Sequence, residues 1–226
     1  MKFSWRTEWP LWLLLAAMFV LAAVTWPHAP DRIPTHWGTD GKVNGYGGKF
    51  EGLVLIPLIS LILYALFLVL PKFDPLRVNY ATFAGAYTVL RFAILLFMAI
   101  LYGVIHLWIR GRETPIPVLI PILVGALLLV MGGIMGRLRP NWFVGIRTPW
   151  TLSSKRAWHE THRAARWVFS GAGLALIATG FLASTAVLIA TLVLMTFGIL
   201  CLVIYSYLLW RDDPERVPPP SSLHAD

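Results

Sequence analysis

A single cysteine, Cys201, excludes an intramolecular disulfide, and its place in an apolar run predicts a small buried hydrophobe. Charge is also scarce: 13% of the 226 residues are charged while 58% are hydrophobic, which excludes a soluble surface. The acidic side is the poorer, with 11 Asp and Glu against 19 Lys and Arg. A net charge of +8 does not by itself indicate nucleic acid, because no stretch free of apolar runs is long enough to present a basic face, and positive loops are ordinary in membrane proteins. No internal repeat is visible, and no cofactor is implied.

What is present is a series of apolar runs about as long as a bilayer is thick. They lie near 9–26, 52–70, 80–108, 116–135, 167–184 and 186–210. Each must be helical, since an unpaired backbone group in hydrocarbon costs several kcal/mol. The first run follows Lys2 and Arg6 and superficially suggests a secretory signal, but it is too long and is flanked by aromatics at both ends, so it reads as a span. The third is long for one bilayer and invites a tilt, or an interfacial start before Arg91.

Orientation follows from charge. With the N-terminus inside, the inner segments hold Lys2, Arg6, Lys72, Arg77, Arg137, Arg139, Arg147, Lys155, Arg156, Arg163, Arg166, Arg211 and Arg216. The outer segments hold Arg32, Lys42, Lys49, Arg110 and Arg112. Thirteen against five predicts both ends in the cytoplasm. The expected fold is therefore an all-α integral membrane protein of six transmembrane helices, N-in and C-in, with a long outer loop, 27–51, and a long inner loop, 136–166. A two-helix unit, 9–70, precedes a four-helix unit, 80–210, and the proline- and serine-rich tail, 211–226, is expected to be disordered.

The outer loop is dense in turn formers, with Asp40-Gly41 and Asn44-Gly45, and predicts tight turns with room for one hairpin. His28, Asp31, His36 and Asp40 match no metal spacing, so no metal site is predicted there. Trp37, Tyr46 and Phe50 are expected at the membrane surface. The inner loop mixes aromatics with turn formers and is expected to fold back on the bilayer. Ser153 is placed to cap a helix starting near Ser154. Helical spacing then groups Ser154, Trp158, Thr161, His162 and Ala165 on one face and Arg156, His159, Glu160, Arg163 and Arg166 on another.

Catalytic readings fail on spacing. In His159-Glu160-Thr161-His162 the histidines are three apart, whereas the zinc-protease helix needs four. Ser153 and Ser154 lack a G-x-S-x-G setting. Arg91 is a costly charge inside an apolar span, for which snorkelling to the interface is the simple reading. Glu8, Glu51, Asp74 and Glu113 are all read as lying outside the spans, which counts against a proton-coupled transporter.

Both loops resemble one family. Asn141-Trp142-Phe143-Val144-Gly145-Ile146-Arg147-Thr148-Pro149-Trp150-Thr151-Leu152, followed by Trp158 and Thr161-His162-Arg163, resembles the signature of SdpI-type immunity proteins. Ile33-Pro34-Thr35-His36, with Gly41 and Lys49, resembles the small domain of unknown function that often precedes that signature. The resemblance implies a non-enzymatic, multi-pass protein of the bacterial plasma membrane that protects its cell from a secreted antimicrobial peptide toxin. In the best-known member it also implies sequestration of a cytoplasmic transcriptional repressor. On this sequence the motif falls on Asn141, Gly145, Arg147, Thr148, Pro149, Trp150, Trp158, Thr161 and His162, and the outer motif on Pro34, His36, Gly41 and Lys49. The alternative is a small-molecule or peptide transporter, with Arg91 and the proline-rich start of the fourth span, Pro115, Pro117 and Pro121, forming a broken-helix site.

Overall fold

A computed structural model describes residues 4–217; the far part of the expected tail, 218–226, lies outside the described residues. Six helices in it are long and apolar enough to cross a membrane, and they follow the six apolar runs. They are α1 (Trp5–Thr25), α2 (Leu55–Phe73), α3 (Ala84–Ile109), α4 (Ile116–Met135), α6 (Lys155–Leu182) and α7 (Thr185–Arg211). A short helix, α5 (Pro149–Ser153), lies in the loop before α6.

The first helix starts a turn earlier than hydropathy alone suggests. Ser4 and Thr7 form a capping box, so the helix begins at Trp5 and takes in Glu8. Between α1 and α2, β1 (Ile33–Trp37) and β2 (Val43–Gly47) pair antiparallel as a hairpin, and a single π-helical turn at Phe50–Val54 leads into α2. Ile33 is fully buried against Gly52, which locks the hairpin to the bundle. Trp37 is half-buried, packing against the cluster beneath it and meeting Trp108 at 5.8 Å between rings, while Tyr46 and Phe50 are exposed, and so is Cys201, against the expectation of a buried thiol.

The tightest helix pair is α4 with α6, and glycine makes it so. A Cβ at Gly125 would come to 2.5 Å from the Gly173 carbonyl, and one at Gly173 to 2.7 Å from the Gly125 carbonyl. Gly132 and Gly180, seven residues further along each helix, repeat the approach against Ser170 and Val118. Small residues let two backbones meet inside a membrane, where apolar burial supplies no preference for helix over lipid. The helix α4 runs unbroken through Pro121, so the broken-helix site expected there is absent.

Arg91 does not snorkel. It is completely buried, and its guanidinium donates two parallel hydrogen bonds to Glu8, to Oε2 at 2.9 Å and Oε1 at 2.8 Å. Tyr64 donates to Glu8 Oε2 at 3.2 Å, and the Trp12 indole donates to the Tyr64 oxygen at 2.5 Å. The reading that no acidic residue lies within a span is therefore wrong. Glu8 falls inside α1, and the forked geometry of the pair answers the desolvation of both charges.

Candidate functional site

The connection from α4 to α6 is a folded clamp built around three buried side chains. Asn141 is at its centre. Its Oδ1 accepts from the Phe143 and Val144 backbone N–H groups, and its Nδ2 donates to the Arg139 and Val144 carbonyls. All the hydrogen-bonding directions an amide commonly uses are thereby filled, and the chain is bent into a turn.

His162 holds the far side of the loop. Its Nδ1 lies 2.8 Å from the Trp158 carbonyl, which accepts only, so Nδ1 carries the proton. The other nitrogen, Nε2, is left as an acceptor and takes the Ile146 backbone N–H at 3.0 Å. Gly145 makes this reach feasible: it has φ +109°, and a Cβ there would collide with His162 Nε2. Trp158 stacks on His162 with ring centres 4.1 Å apart and donates its indole N–H to the Leu138 carbonyl at 3.1 Å.

Thr148 and Thr151 close the loop onto α5. The Thr148 hydroxyl accepts from the Thr151 N–H, Thr151 Oγ1 accepts from the Thr148 N–H, and the Thr151 hydroxyl donates to the Ile146 carbonyl. Pro149 occupies the first turn of α5, where its missing N–H costs nothing. The cap of α6 is Ser154, one residue beyond the position read from sequence, because Ser153 is used as the last residue of α5. The buried face of α6 is the one its spacing predicts: Ser154, Trp158, Thr161, His162 and Ala165 are all buried, while Arg156, His159, Arg163 and Arg166 are exposed and Glu160 is half-buried.

Three distant segments fasten this clamp, and spacing along the chain announces none of them. Asp74, at the end of α2, accepts from the Tyr80 hydroxyl at 3.0 Å and from the Trp142 backbone N–H at 2.8 Å. Burial and the Asp74 carboxylate push the Tyr80 phenol far up, so it stays a donor. Asn79 donates to the Pro140 carbonyl at 2.7 Å. From α7, Ser206 meets the Thr148 hydroxyl at 3.1 Å, and Trp150 packs edge-on against Tyr207. Beyond α7, Asp213 accepts the Ser154 hydroxyl at 2.5 Å and Val217 donates to the Ser153 carbonyl at 2.8 Å. The start of the tail thus lies on the motif loop. The Ser154 hydroxyl, then the Glu215 N–H, hold the Asp213 carboxyl below the usual carboxylate range.

The structure therefore sorts the nine inner motif residues, all brought together, into two groups. Asn141, Gly145, Thr148, Trp158 and His162 build the clamp, and Thr161 is buried beside them with its hydroxyl unpartnered among the described residues. Arg147 and Pro149 face outward, Trp150 is half-buried, and the neighbouring Trp142 is 52% exposed. Arg147 is held in place by donating to the Trp142 carbonyl at 2.8 Å. The loop packs on its own helices, where Asn141, His162 and Trp158 satisfy backbone groups of Phe143, Val144, Ile146 and Leu138.

The outer motif lies at the other end of the bundle, about 30 Å away along the 20-residue α4. Pro34 and His36 are in β1, Gly41 is in the turn with φ +78°, and Lys49 approaches Asp31 at 3.7 Å and the Trp26 carbonyl at 3.4 Å. His36 Nδ1 lies 2.5 Å from Asn44 Oδ1. Arg91 belongs to neither loop. Among the described residues no group of three or more His, Cys, Asp or Glu could hold a metal.

Fold and clamp together define a six-helix integral membrane protein with an ordered loop at one end and a β-hairpin at the other. Residues 137–208, the clamp with α6 and most of α7, match the SdpI/YfhL protein family, and residues 13–61 match a domain of unknown function, DUF1648. The chain is 24% identical over 195 residues to the immunity protein SdpI of Bacillus subtilis (strain 168), covering 86% of this chain and 91% of that one. No solved structure matches it. The chain carries an SdpI/YfhL-family region preceded by that domain, as its two loop motifs suggested, and is a multi-pass bacterial membrane protein.

Proposed function

We propose that this protein protects its cell from a secreted antimicrobial peptide toxin, without chemistry on the toxin, by binding it or blocking its action at the membrane. The observation that carries this reading is the clamp, which coincides with the family region and has its polar groups spent on holding one loop conformation. Such a loop is a rigid platform rather than a reactive site. Its outward groups, Trp142, Arg147 and Pro149, are the ones left for a partner. By the charge count the clamp faces the cytoplasm and the hairpin faces outward. The clamp is then the surface on which a cytoplasmic repressor would be held, and Arg147 with Trp142 is its contact.

The test is survival of a toxin-sensitive bacterium expressing the protein, exposed to candidate secreted peptides, against Arg147→Ala and Gly145→Val variants matched for membrane abundance. Protection lost in Gly145→Val locates immunity in the folded loop. Protection kept in Arg147→Ala separates that arginine from immunity. No protection by the wild type overturns the reading.

The transporter alternative gains one observation, since Glu8 supplies the buried carboxylate whose absence counted against it. Saturable uptake sensitive to Glu8→Gln would favour it. Arg91, however, is tied to Glu8 and lines no cavity with Pro117 and Pro121, so the expected two-part site is not assembled.

A further inference from the structure

A cavity of about 510 Å³ lies beneath the β-hairpin, with His36 of the outer motif in its lining. Its roof is β1 and the hairpin turn, Thr35 to Thr39; its sides are α3, α4, α6 and α7. On α4 the lining runs from Ile116 to Val124, a depth of about 12 Å at 1.5 Å per residue. The volume is within the range of sites that take small organic ligands.

The lining is polarised along that depth. Thr35, His36, Thr39, Ser184 and Thr185 are at the hairpin end; further in the walls are Leu101, Val104, Val124, Leu176, Leu188 and Leu192. The inner hydroxyl, Thr179, is already satisfied, donating to the Ala175 carbonyl at 2.8 Å and lying 3.2 Å from Thr191. One lining group is not satisfied. The Trp37 indole N–H is buried and has no acceptor among the described residues. A buried donor left without a partner keeps its full desolvation penalty, so its position invites an acceptor oxygen supplied from elsewhere.

The walls also decide what shape of ligand has access. α3 packs on α4 and α7 packs on α6, but α3 and α7 have little packing on each other, so the cavity is walled by helices that border the bilayer. The hairpin turn rests on α4, where a Cβ at Gly41 would come to 2.8 Å from Pro117, and this covers the end. An occupant must be narrow, apolar for most of its length, and terminated by an oxygen acceptor.

We propose that this cavity binds a single acyl chain, tail inward between α3, α4 and α7, with its carboxylate or ester carbonyl accepting from the Trp37 indole under the hairpin. A free fatty acid and one arm of a phospholipid share that chemistry. The site is independent of toxin protection and stands or falls apart from it.

The experiment uses the full-length protein in nanodiscs of phosphatidylcholine and phosphatidylglycerol. One arm carries palmitic acid with a chain diazirine; the other carries phosphatidylglycerol with the same diazirine in one acyl chain. After irradiation, adducts are mapped by mass spectrometry. The expected result is labelling of the cavity face of α4 and α7, between Ile116 and Val124 and between Thr185 and Leu192, in at least one arm. Which arm labels identifies the source. Ile120→Trp and, from another wall, Leu188→Trp fill the space and should each reduce this labelling about tenfold. Labelling at the outward-facing Leu194 and Phe197 stays unchanged. Trp37→Phe keeps the ring, removes the donor, and should weaken labelling about 2–10-fold, the worth of one hydrogen bond. Cavity labelling no greater than at Leu194 and Phe197, or indifferent to both filling variants, overturns the proposal.

Discussion

Removing one half of the Glu8–Arg91 pair tests the energetics of the bundle more sharply than any change at its surface. The pair is forked, at 2.8 and 2.9 Å, with both side chains almost wholly out of solvent. Around it Leu11, Leu15 and Leu95 form an apolar sleeve. Breaking such a pair from one side costs about 3–5 kcal/mol, which at the usual scaling for a chain of this size lowers the melting temperature by roughly 6–20 °C. The two halves are not equivalent. In Arg91→Leu the remaining carboxylate keeps the Tyr64 hydroxyl as a partner. In Glu8→Leu the guanidinium loses both hydrogen bonds of the fork and keeps its charge, because arginine does not deprotonate. Glu8→Leu is therefore the more destabilising single change, and the Glu8→Leu/Arg91→Leu double variant recovers most of the loss. Thermal unfolding of the purified protein in detergent, followed by near-ultraviolet circular dichroism, reads all three. Equal melting temperatures for wild type and both single variants would refute the reasoning, as would a double variant no better than Glu8→Leu.

Other consequences are local. Gly145→Ala places a methyl against His162 Nε2 at positive φ, so it loses about 1–2 kcal/mol of backbone energy and frees the Ile146 N–H; faster hydrogen exchange at Ile146 is the readout. Gly173→Val drives a side chain into the Gly125 carbonyl and Leu129, and should separate α4 from α6, seen as loss of a disulfide engineered across that seam. Asp213 supplies a pH dependence of known sign. Its folded pKa is depressed, so its contribution is complete above the ordinary carboxylate pKa of about 3.9 and is lost as pH falls through the lower folded value. The tail should stay on the Ser153–Ser154 turn at neutral pH and loosen only in that acid window, while Asp213→Asn loosens it at pH 7; limited proteolysis after Arg216 measures both.

Much of the fold is legible in the sequence because hydrophobicity and helical spacing are local quantities. The six spans follow from run length, and the buried face of α6 from residues three and four apart. Most failures share one physical source, contacts between residues far apart in the chain. Glu8 is 83 residues from Arg91, so neither residue announces the other, and the charge of Glu8 itself cuts the first apolar run short. Asp74 and Asn79 read as ordinary linker residues, yet each fixes a backbone group of the motif loop more than 60 residues away. The glycine seam is different: Gly125 with Gly132 and Gly173 with Gly180 repeat at seven residues, a signal available from spacing alone. Ser153 and Ser154 are equivalent caps by composition, and only the preceding short helix decides between them.

The central claim is protection without chemistry on the toxin. Sensitive cells expressing the protein are exposed to a secreted peptide that kills the parent strain, and survival is scored together with the mass and residual killing activity of the recovered peptide. The account predicts survival of the expressing cells with the peptide intact and still lethal to the parent. A cleaved or modified peptide, or killing undiminished with the protein abundant in the membrane, would contradict it.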